Sequence, residues 1–232
     1  MERIDGTACL LLLKDNGKIV CARDKLGRLP ILIGRKDGGY CATFESFAFE
    51  KLGYEAVVTR DRKLIREADR LILPGVGAFG NAMEKLNEYG LIDPIREAVC
   101  AGKPFLGICL GLQLLFDESD ESPGVRGLSL LSGKVLRIPD AGGTLKIPHM
   151  GWNSLKIKED SRLFKGLKQD TYVYFVHSYY LRAERREDVA ASTFYGTQID
   201  AAVEHENVFA CQFHPEKSGN CGLKILQNFA EL

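Results

Sequence analysis

A cysteine between two glycines constrains the fold of this chain more than any other feature of its sequence. Gly107-Ile108-Cys109-Leu110-Gly111 follows the apolar run Pro104-Phe105-Leu106 and precedes a helix-compatible stretch from Leu112 to Phe116. A strand, a sharp turn and a helix in this order form a nucleophile elbow, in which glycines allow the close backbone packing that the turn needs. The sequence therefore predicts an α/β sheet with an exposed, reactive thiol at the end of one strand.

The helix after Cys109 would present backbone amides and the positive end of its dipole to negative charge near the sulfur. A cysteine nucleophile also needs a base, and Gln212-Phe213-His214-Pro215-Glu216 offers one. We expect His214 to take the cysteine proton and Glu216 to orient the imidazole. Positions two apart in an extended segment project to the same side, so the two side chains can meet. A lone histidine is more often an ordinary polar or core residue, so this motif gains its meaning from the elbow.

An attacked amide develops an oxyanion, which two hydrogen-bond donors must stabilise. One donor is the amide of Leu110, directly after the nucleophile. The turn Pro74-Gly75-Val76-Gly77 is a candidate for the second, because its glycines permit close approach and unusual dihedral angles. The alternative is an ordinary tight turn. Gln113, one turn into the elbow helix, either reaches a substrate or faces solvent.

From about Glu55 onward, short apolar runs alternate with helix-compatible stretches, as in a largely parallel sheet covered by helices. After the elbow, hairpin-rich antiparallel strands follow, and an amphipathic helix closes the chain. The predicted strands cover residues 57–59, 71–73, 104–108, 130–138, 153–157, 171–181, 189–194 and 203–213. The predicted helices cover residues 61–68, a stretch around 83–86, 93–101 and 222–232.

The first fifty residues follow a different pattern. Residues 8–14 and 18–22 resemble two strands joined at Asp15-Asn16-Gly17, which is a strong hairpin signal. Residues 31–34, with a helix predicted at residues 44–52, could supply the first strand and helix of the main sheet. The sequence therefore predicts an atypical N-terminal hairpin ahead of an α/β domain.

Charge and cysteine content exclude several classes of function. The 31 basic and 31 acidic side chains are scattered, so no attraction to nucleic acid or to an anionic membrane is expected. The seven cysteines include no CxxC pair or metal-ligand spacing, so we expect no metal and no cofactor. Free thiols and the lack of a signal-peptide pattern predict a cytoplasmic protein. Cys100 and Cys211 are expected to be small buried hydrophobes.

Two further clusters have both a structural and a functional interpretation. Pro148-His149-Met150-Gly151-Trp152-Asn153 contains the single tryptophan and is either a packed corner or a surface that faces a partner. Tyr174-Phe175-Val176-His177-Ser178-Tyr179-Tyr180 begins like a buried strand and ends polar, as a strand that leads into a pocket does. Aromatic stripes are more often core, so both interpretations stay open.

From about residue 52 to residue 232, the chain resembles the class I, triad-type glutamine amidotransferases. The resemblance rests on the combination of LPGVGAFGNAMEKL, KPFLGICLGLQLLF, IPHMGWN, YFVHSYY and FACQFHPEKSG. It implies the family's α/β fold, a triad of Cys109, His214 and Glu216, and an oxyanion hole formed by the amides of Val76 and Leu110. The implied substrate contacts are Gly75, Gly77, Gln113, His177, Ser178 and Tyr179. The implied partner interface is His149, Met150, Gly151, Trp152 and Asn153.

The resemblance also implies a reaction. L-Glutamine would be hydrolysed to glutamate and ammonia through a cysteine thioester, and the ammonia would pass to a cyclase subunit that serves histidine biosynthesis. Three other interpretations stay open. The chain could be a catalytically impaired subunit that only docks on a cyclase, a class I glutaminase that serves another synthase, or a cysteine hydrolase that acts on peptides.

The beginning of the chain departs from the class I pattern. TACLLLLKDNGKIVCARDKLGRLPILIG and GGYCATFESFAF resemble an internal piece of a class II glutaminase domain, of the kind found in amidophosphoribosyltransferase. That family uses an N-terminal cysteine, and Met1-Glu2 offers none, so this segment receives no catalytic role. The sequence predicts residues 1–29 as an atypical segment and residues 30–232 as the class I domain, with residues 31–34 in place of the missing first strand.

Overall fold

The computed structural model of the protein describes residues 9–13, 19–23, 32–36, 39–43, 56–140 and 142–232. The chain divides into two compact units, Met1–Ala48 and Phe49–Leu232. The domain division after residue 29 stays a prediction, and the boundary between the compact units falls later. None of the helices in the described ranges is long and apolar enough to cross a membrane. The helix predicted at residues 44–52 lies outside the described residues.

The first unit contains two antiparallel hairpins. Strand β1 (Cys9–Leu13) pairs antiparallel with β2 (Ile19–Arg23), which confirms the predicted pairing of these two strands, whereas the turn Asp15-Asn16-Gly17 lies outside the described residues. Strand β3 (Leu32–Lys36) pairs with β4 (Gly39–Thr43), so that Lys36 lies opposite Gly39. The expectation that residues 31–34 form the first strand of the main sheet is therefore wrong. The two intervening residues are Asp and Gly, a dipeptide that favours a tight hairpin over a strand-to-helix connection.

The second unit is built on a six-stranded mixed sheet. In spatial order its strands are β10 (Lys156–Ile157), β13 (Val189–Tyr195), β14 (Thr197–His205), β15 (Val208–Cys211), β6 (Phe105–Cys109) and β5 (Leu71–Gly75). Strands β5, β6 and β15 run parallel, whereas the other pairings are antiparallel. This arrangement, with smaller separate sheets in the same unit, confirms the predicted α/β class, but the sheet is mixed, with two parallel and three antiparallel pairings, where the sequence predicts a largely parallel one.

Two smaller sheets complete the described strands of this unit. Strand β8 (Gly133–Arg137) lies between β7 (Glu118–Ser119) and β12 (Tyr179–Ala183), and β9 (His149–Ser154) pairs with β11 (Tyr172–His177). Two of the long predicted strands are divided because the chain changes sheets, after Ser154 and again at Ser178. The strand predicted at residues 203–213 is divided by a hairpin in which His205 lies opposite Val208 and Glu206 has a φ of 50°.

Five helices are described: α1 (Arg62–Glu67), α2 (Phe79–Glu88), α3 (Ile92–Cys100), α4 (Leu110–Gln113) and α5 (Gly219–Ala230). Asp61 caps α1, because its carboxylate accepts hydrogen bonds from the amides of Lys63 and Leu64 at 2.7 and 3.2 Å. The longer helices bury residues at helical spacing, such as Phe79, Met83 and Leu86 in α2. Buried residues of α2 and α3 share one core cluster with Phe105 of β6. Every residue of β6 is buried.

The prediction of a strand at residues 57–59 is wrong. Residues 56–60 have no regular secondary structure, and the side chains of Val57 and Val58 are fully or largely exposed. Apolar β-branched residues favour a strand only where a neighbouring strand can pair with them. Within the described residues, β5 pairs with β6 alone and has no partner on its other side.

The glycines of the elbow are required by close backbone packing. A Cβ atom on Gly111 would lie 1.7 Å from the carbonyl oxygen of Leu73, and one on Gly107 would lie 2.7 Å from that of Gly111. A Cβ on Gly75 would come no closer than 3.1 Å to another heavy atom, and the nearest atoms belong to the side chain of Leu110. The motif thus lets α4 pack directly against β5 and β6.

We expect Gly111→Ala to lower the free energy of unfolding by at least about 3 kcal/mol, because backbone atoms of β5 would have to move. Gly75→Ala is the matched control and should cost about 1 kcal/mol, since its closest approach of 3.1 Å, to Cβ of Leu110, needs a shift of only a few tenths of an ångström. Urea denaturation of both variants measures the difference. Equal unfolding midpoints would contradict this account of the elbow.

Candidate active site

Cys109 lies at the turn between β6 and α4. Its backbone has a φ of 54° and a ψ of −106°, outside the regions that non-glycine residues ordinarily occupy. Such strain persists only where the surrounding structure enforces it, and it concentrates at functional sites. The predicted nucleophile elbow is therefore present in its geometry, although the Cys109 side chain is 7% exposed and not open to solvent.

The turn predicted to complete the oxyanion site lies beside the elbow. Gly75, the last residue of β5, is the register partner of Cys109 in the parallel pairing with β6. Gly77 has a φ of 103°, a conformation that glycine adopts without strain. The side chain of Val76 is 80% exposed. The backbone of this turn is thus next to the nucleophile.

His214 and Glu216 are in direct contact. The Nδ1 atom of His214 lies 2.7 Å from Oε1 of Glu216. The prediction of an extended backbone for this segment is wrong, because a short 3-10 turn begins at Pro215 and ends at Lys217. The His214 amide donates to the carbonyl of Tyr174, and the Ser218 hydroxyl donates to the carbonyl of His214. These bonds fix the imidazole on a rigid turn.

Burial and two neighbouring side chains together set the pKa of the His214 imidazole. Burial by itself lowers the pKa of His214, but the interactions with Cys109 and Glu216 outweigh burial and raise this pKa from 6.5 to about 9. Among the described residues, the buried Nε2 atom of His214 has no partner in full hydrogen-bond geometry. The contact with the thiol is therefore looser than an ideal hydrogen bond, as is common for catalytic pairs before substrate binds.

Two buried glutamines connect the nucleophile to the neighbouring strands. Nε2 of Gln212 lies 3.7 Å from Sγ of Cys109, and Oε1 of Gln212 accepts a hydrogen bond of 3.1 Å from Nε2 of Gln113. Nε2 of Gln113 also donates to the carbonyl of Tyr179 at 3.1 Å. Gln113 is thus buried in a hydrogen-bond network and not exposed on the helix surface.

Two of the four histidines form a buried pair behind this network. Nδ1 of His149 lies 3.0 Å from Nε2 of His177, and Nδ1 of His177 lies 2.8 Å from the carbonyl oxygen of Tyr179. Because a carbonyl only accepts, Nδ1 of His177 carries a proton, and neutral His177 accepts from His149 through Nε2. Burial lowers the pKa of His149 to about 4 and that of His177 to about 3, so both rings are neutral at pH 7.

This pair predicts a loss of stability in acid. Because both pKa values are lower in the folded chain than the ordinary value of 6.5, the unfolded chain binds more protons below that pH. The free energy of unfolding should therefore fall as the pH drops below about 6.5 and continue to fall towards pH 4. Urea denaturation across this range measures the slope. His177→Gln should flatten the slope, and an unchanged slope in that variant would contradict the assignment.

Strand β9 separates the residues predicted to form a partner interface into two faces. Met150 and Trp152 are 45% and 55% exposed, whereas His149 is buried and stacks between Phe175 and Tyr195. Asn153 is half-buried and donates to the carbonyl of Phe194 at 3.1 Å. Gly151 has a φ of 131° and contributes no side chain. The exposed face of β9 is therefore smaller than the predicted set.

The neighbouring strand β11 extends this exposed face. In the register with β9, Tyr174 lies opposite Trp152, and their rings meet edge to face with centroids 6.0 Å apart. Val176 lies opposite Met150, and Tyr172 is 58% exposed. The strip formed by Met150, Trp152, Tyr172, Tyr174 and Val176 is called the aromatic strip below.

The remaining predicted substrate residues lie at the end of β11. His177 is its last residue, Ser178 is the half-buried residue at the break, and Tyr179 begins β12. The carbonyl of Tyr179 already accepts from both His177 and Gln113. Any further bond that Tyr179 makes to a substrate would therefore come from another of its groups.

The cysteines differ in exposure from the sequence-based expectation. Cys211 is fully buried as predicted, and burial raises the pKa of its thiol well above the ordinary value. Cys100 is exposed at the end of α3, so the prediction that it is buried is wrong. The helical periodicity places residue 100 beyond the buried positions Ile95 and Val99.

Sequence reasoning missed two residues of this site. Gln212 belongs to the motif around His214 but receives no role from the sequence, and Ser218 receives none either. The strand β15 runs parallel to β6 with Cys211 opposite Ile108, so its next residue reaches the level of the nucleophile. Reading the residue after each parallel strand could have found Gln212, whereas the bonds of Ser218 depend on tertiary structure.

The comparisons with known proteins agree with this geometry. The family described as "Glutamine amidotransferase class-I" matches residues 48–232. The chain is 55% identical over 186 residues to "Imidazole glycerol phosphate synthase subunit HisH" of Methanothermobacter thermautotrophicus, with 80% of this chain and 90% of that protein covered. It is 50% identical over 188 residues to the protein of the same name from Syntrophotalea carbinolica, with 79% and 91% covered.

A solved structure supports the fold independently. The structure described as "Crystal structure of glutamine amidotransferase" superimposes with a TM-score of 0.61 at 25% identity. The superposition covers 79% of this chain and 90% of that one. Family membership and three-dimensional similarity therefore point in the same direction.

Proposed function

Because this chain belongs to the class I glutamine amidotransferases, in the group of imidazole glycerol phosphate synthase subunit HisH, we propose that Cys109, His214 and Glu216 are the residues that hydrolyse the side-chain amide of L-glutamine. The observation that carries this proposal is the strained backbone of Cys109 beside a buried histidine that contacts a carboxylate at 2.7 Å. Nucleophile, base and orienting group are thus within one site.

The proposed reaction has two halves. The raised pKa of His214 favours a pair in which the proton of the Cys109 thiol already resides on the imidazole. The thiolate attacks the amide carbon, and the carbon–nitrogen bond breaks as His214 gives this proton to the leaving nitrogen. Ammonia leaves and a thioester remains. His214, now neutral, takes a proton from water as the water oxygen attacks the thioester carbon. The carbon–sulfur bond then breaks, glutamate forms, and the proton stays between the imidazole and the sulfur, which restores the starting pair. The amides of Val76 and Leu110 would hold the oxyanion in both halves.

The surroundings of the elbow restrict how glutamine could bind. Both amide hydrogens of Gln113 are engaged, so its bond to the substrate would be accepted by Oε1 from an N–H group. Gly75 and Gly77 leave the backbone of the oxyanion turn open to the substrate. His177, Ser178 and Tyr179 would form the opposite wall, with His177 neutral and fixed by its two hydrogen bonds.

We further propose that the ammonia passes to a HisF-type cyclase subunit, which uses it to form imidazole glycerol phosphate in histidine biosynthesis. Cys100, Cys109, Cys211 and Cys221 are free thiols, which supports a reducing compartment such as the cytoplasm. The aromatic strip is the proposed docking surface, since exposed Trp, Tyr and Met side chains are enriched at protein interfaces.

We expect Trp152→Ala to weaken binding of the cyclase by about tenfold or more, because a tryptophan that becomes buried on binding often dominates the energy of an interface. Leu64→Ser is the matched control, since it removes an exposed apolar side chain of α1 outside the aromatic strip. Isothermal titration calorimetry measures both. Equal dissociation constants for the two variants would show that the aromatic strip is not part of the interface.

Isotope transfer tests the proposed function. The complex with the cyclase receives glutamine labelled at its amide nitrogen, in the presence of unlabelled ammonium. We expect the label in the imidazole product, because ammonia from the thiol site is delivered before it mixes with the solvent. Product without label would show that the chain only docks on its partner.

A further inference from the structure

Gln212 contacts the reacting sulfur and is neither a triad member nor one of the proposed substrate contacts. Its side chain is fully buried, and its Nε2 atom lies 3.7 Å from Sγ of Cys109. Its backbone amide donates to the carbonyl of Ala201 at 2.8 Å, which fixes the residue at the end of β15. A buried amide held in this way has a defined position relative to the nucleophile.

The hydrogen-bond network determines which end of the Gln212 amide faces the sulfur. The carbonyl of Tyr179 can only accept, so the group of Gln113 that meets it must be Nε2. The same Nε2 atom donates to Gln212, so the group of Gln212 that meets it must be Oε1. The other end of Gln212, which faces Sγ, is therefore the donor. A backbone carbonyl thus sets the direction of the whole chain of bonds.

A donor in this position acts where charge develops on the sulfur. The sulfur becomes negative when its proton moves to His214, and again when the carbon–sulfur bond of the thioester breaks. A hydrogen bond to a charged group is stronger than one to a neutral group, particularly in a buried site. The contact to Gln212 is therefore stronger in the charged states than in the neutral thiol.

We propose that Gln212 is a further catalytic residue, whose amide N–H stabilises negative charge on Sγ of Cys109, and that Gln113 positions it. This inference rests on the proposed glutaminase function. It assigns Gln113 a second task, since the glutamine that would contact the substrate also sets the direction of the donor to the nucleophile.

The test compares Gln212→Glu with the unchanged chain in the complex with the cyclase. The introduced carboxylate has nearly the same shape and still accepts the bond from Gln113, but it offers the sulfur no donor. We expect kcat for glutamine hydrolysis to fall about 10- to 100-fold, with KM for glutamine changed by no more than about twofold. A loss of packing alone would not separate kcat from KM in this way.

Two controls accompany this variant. Gln169→Glu makes the same chemical change at an exposed residue that is hydrogen-bonded to Ile157, and it should leave kcat unchanged. Cyclase turnover on added ammonia should be normal in both variants, which shows that each one folds and docks. If Gln212→Glu fails to fold, Gln212→Met removes the donor without adding charge and should lower kcat by about tenfold.

The inference is overturned if the folded variant hydrolyses glutamine with the kcat of the unchanged chain. That outcome differs from failure of the proposed function, which would appear as glutamine use that survives Cys109→Ala. A fall in kcat for Gln212→Glu together with complete dependence on Cys109 supports both proposals.

Discussion

Cys109→Ala is expected to lower glutamine-dependent turnover of the complex by on the order of 10⁴-fold or more, because no other group can form the thioester. Turnover on added ammonia should stay within about twofold of that of the unchanged complex, since ammonia bypasses the glutaminase site. The elbow backbone does not depend on the sulfur, so the variant should fold and dock. Parallel assays with glutamine and with ammonium measure the two rates on the same preparation.

The matched control is Cys211→Ala. Cys211 is a fully buried thiol on the neighbouring strand β15, and burial raises its pKa well above the ordinary value, so it should be inert at neutral pH. Cys211→Ala should leave the rate of glutamine-dependent turnover unchanged. Glutamine-dependent turnover that persisted in Cys109→Ala would refute the assignment of the nucleophile.

The second large effect is expected at His214. His214→Gln should lower kcat for glutamine by about 10³-fold or more, because the sulfur loses the group that takes and returns its proton. Glu216→Gln should have a smaller effect, since the imidazole stays in place but loses its charged partner. The double variant Cys109→Ala with His214→Gln should be no slower than Cys109→Ala alone, because the residues act as one unit. Steady-state kinetics on the complex measures kcat for glutamine in the three single variants and the double variant.

The protonation of His214 provides an independent check on the same contact. Its pKa is raised to about 9 in the folded chain, so the folded state holds this proton more tightly than the unfolded state does. The resulting stabilisation is complete below pH 6.5 and is lost as the pH rises towards 9. His214→Gln should remove this decline. An equal decline in the variant would mean that other groups cause it.

Much of the site could be predicted because its chemistry is encoded locally. The glycines on both sides of Cys109 specify the elbow, since a Cβ atom at Gly107 or Gly111 would clash with backbone. His214 and Glu216 are two residues apart, so one short turn brings them together. The apolar runs of β5 and β6 are buried or half-buried, as their composition indicates. Local sequence was sufficient for these features.

Other features depend on partners that a single segment does not reveal. Val57 and Val58 have strand-forming side chains but no neighbouring strand to pair with in the described structure. The sequence predicts His149 at a partner surface, yet its side chain points inward and contacts His177, because β9 alternates between an exposed and a buried face. The contact of Gln212 with the sulfur requires two strands that are distant in sequence.

The family match supports the assignment of the second unit but not that of the first. The family match begins at residue 48, and the HisH relatives are covered over about nine-tenths of their own length. The resemblance of residues 3–50 to a class II glutaminase fragment stays a prediction. The described strands there form two hairpins, each with its own antiparallel pairing. The catalytic proposal therefore rests on residues of the second unit.

Covalent labelling tests the central claim most directly. The complex is treated with a glutamine analogue that carries a chloroketone in place of the side-chain amide, and peptide mass spectrometry locates the adduct. We predict one adduct, on Cys109, whose formation is suppressed by excess glutamine. The exposed thiol of Cys100 serves as the internal control and should not be labelled in a glutamine-dependent way. An adduct confined to other cysteines, or labelling of Cys109 that glutamine does not suppress, would contradict the account.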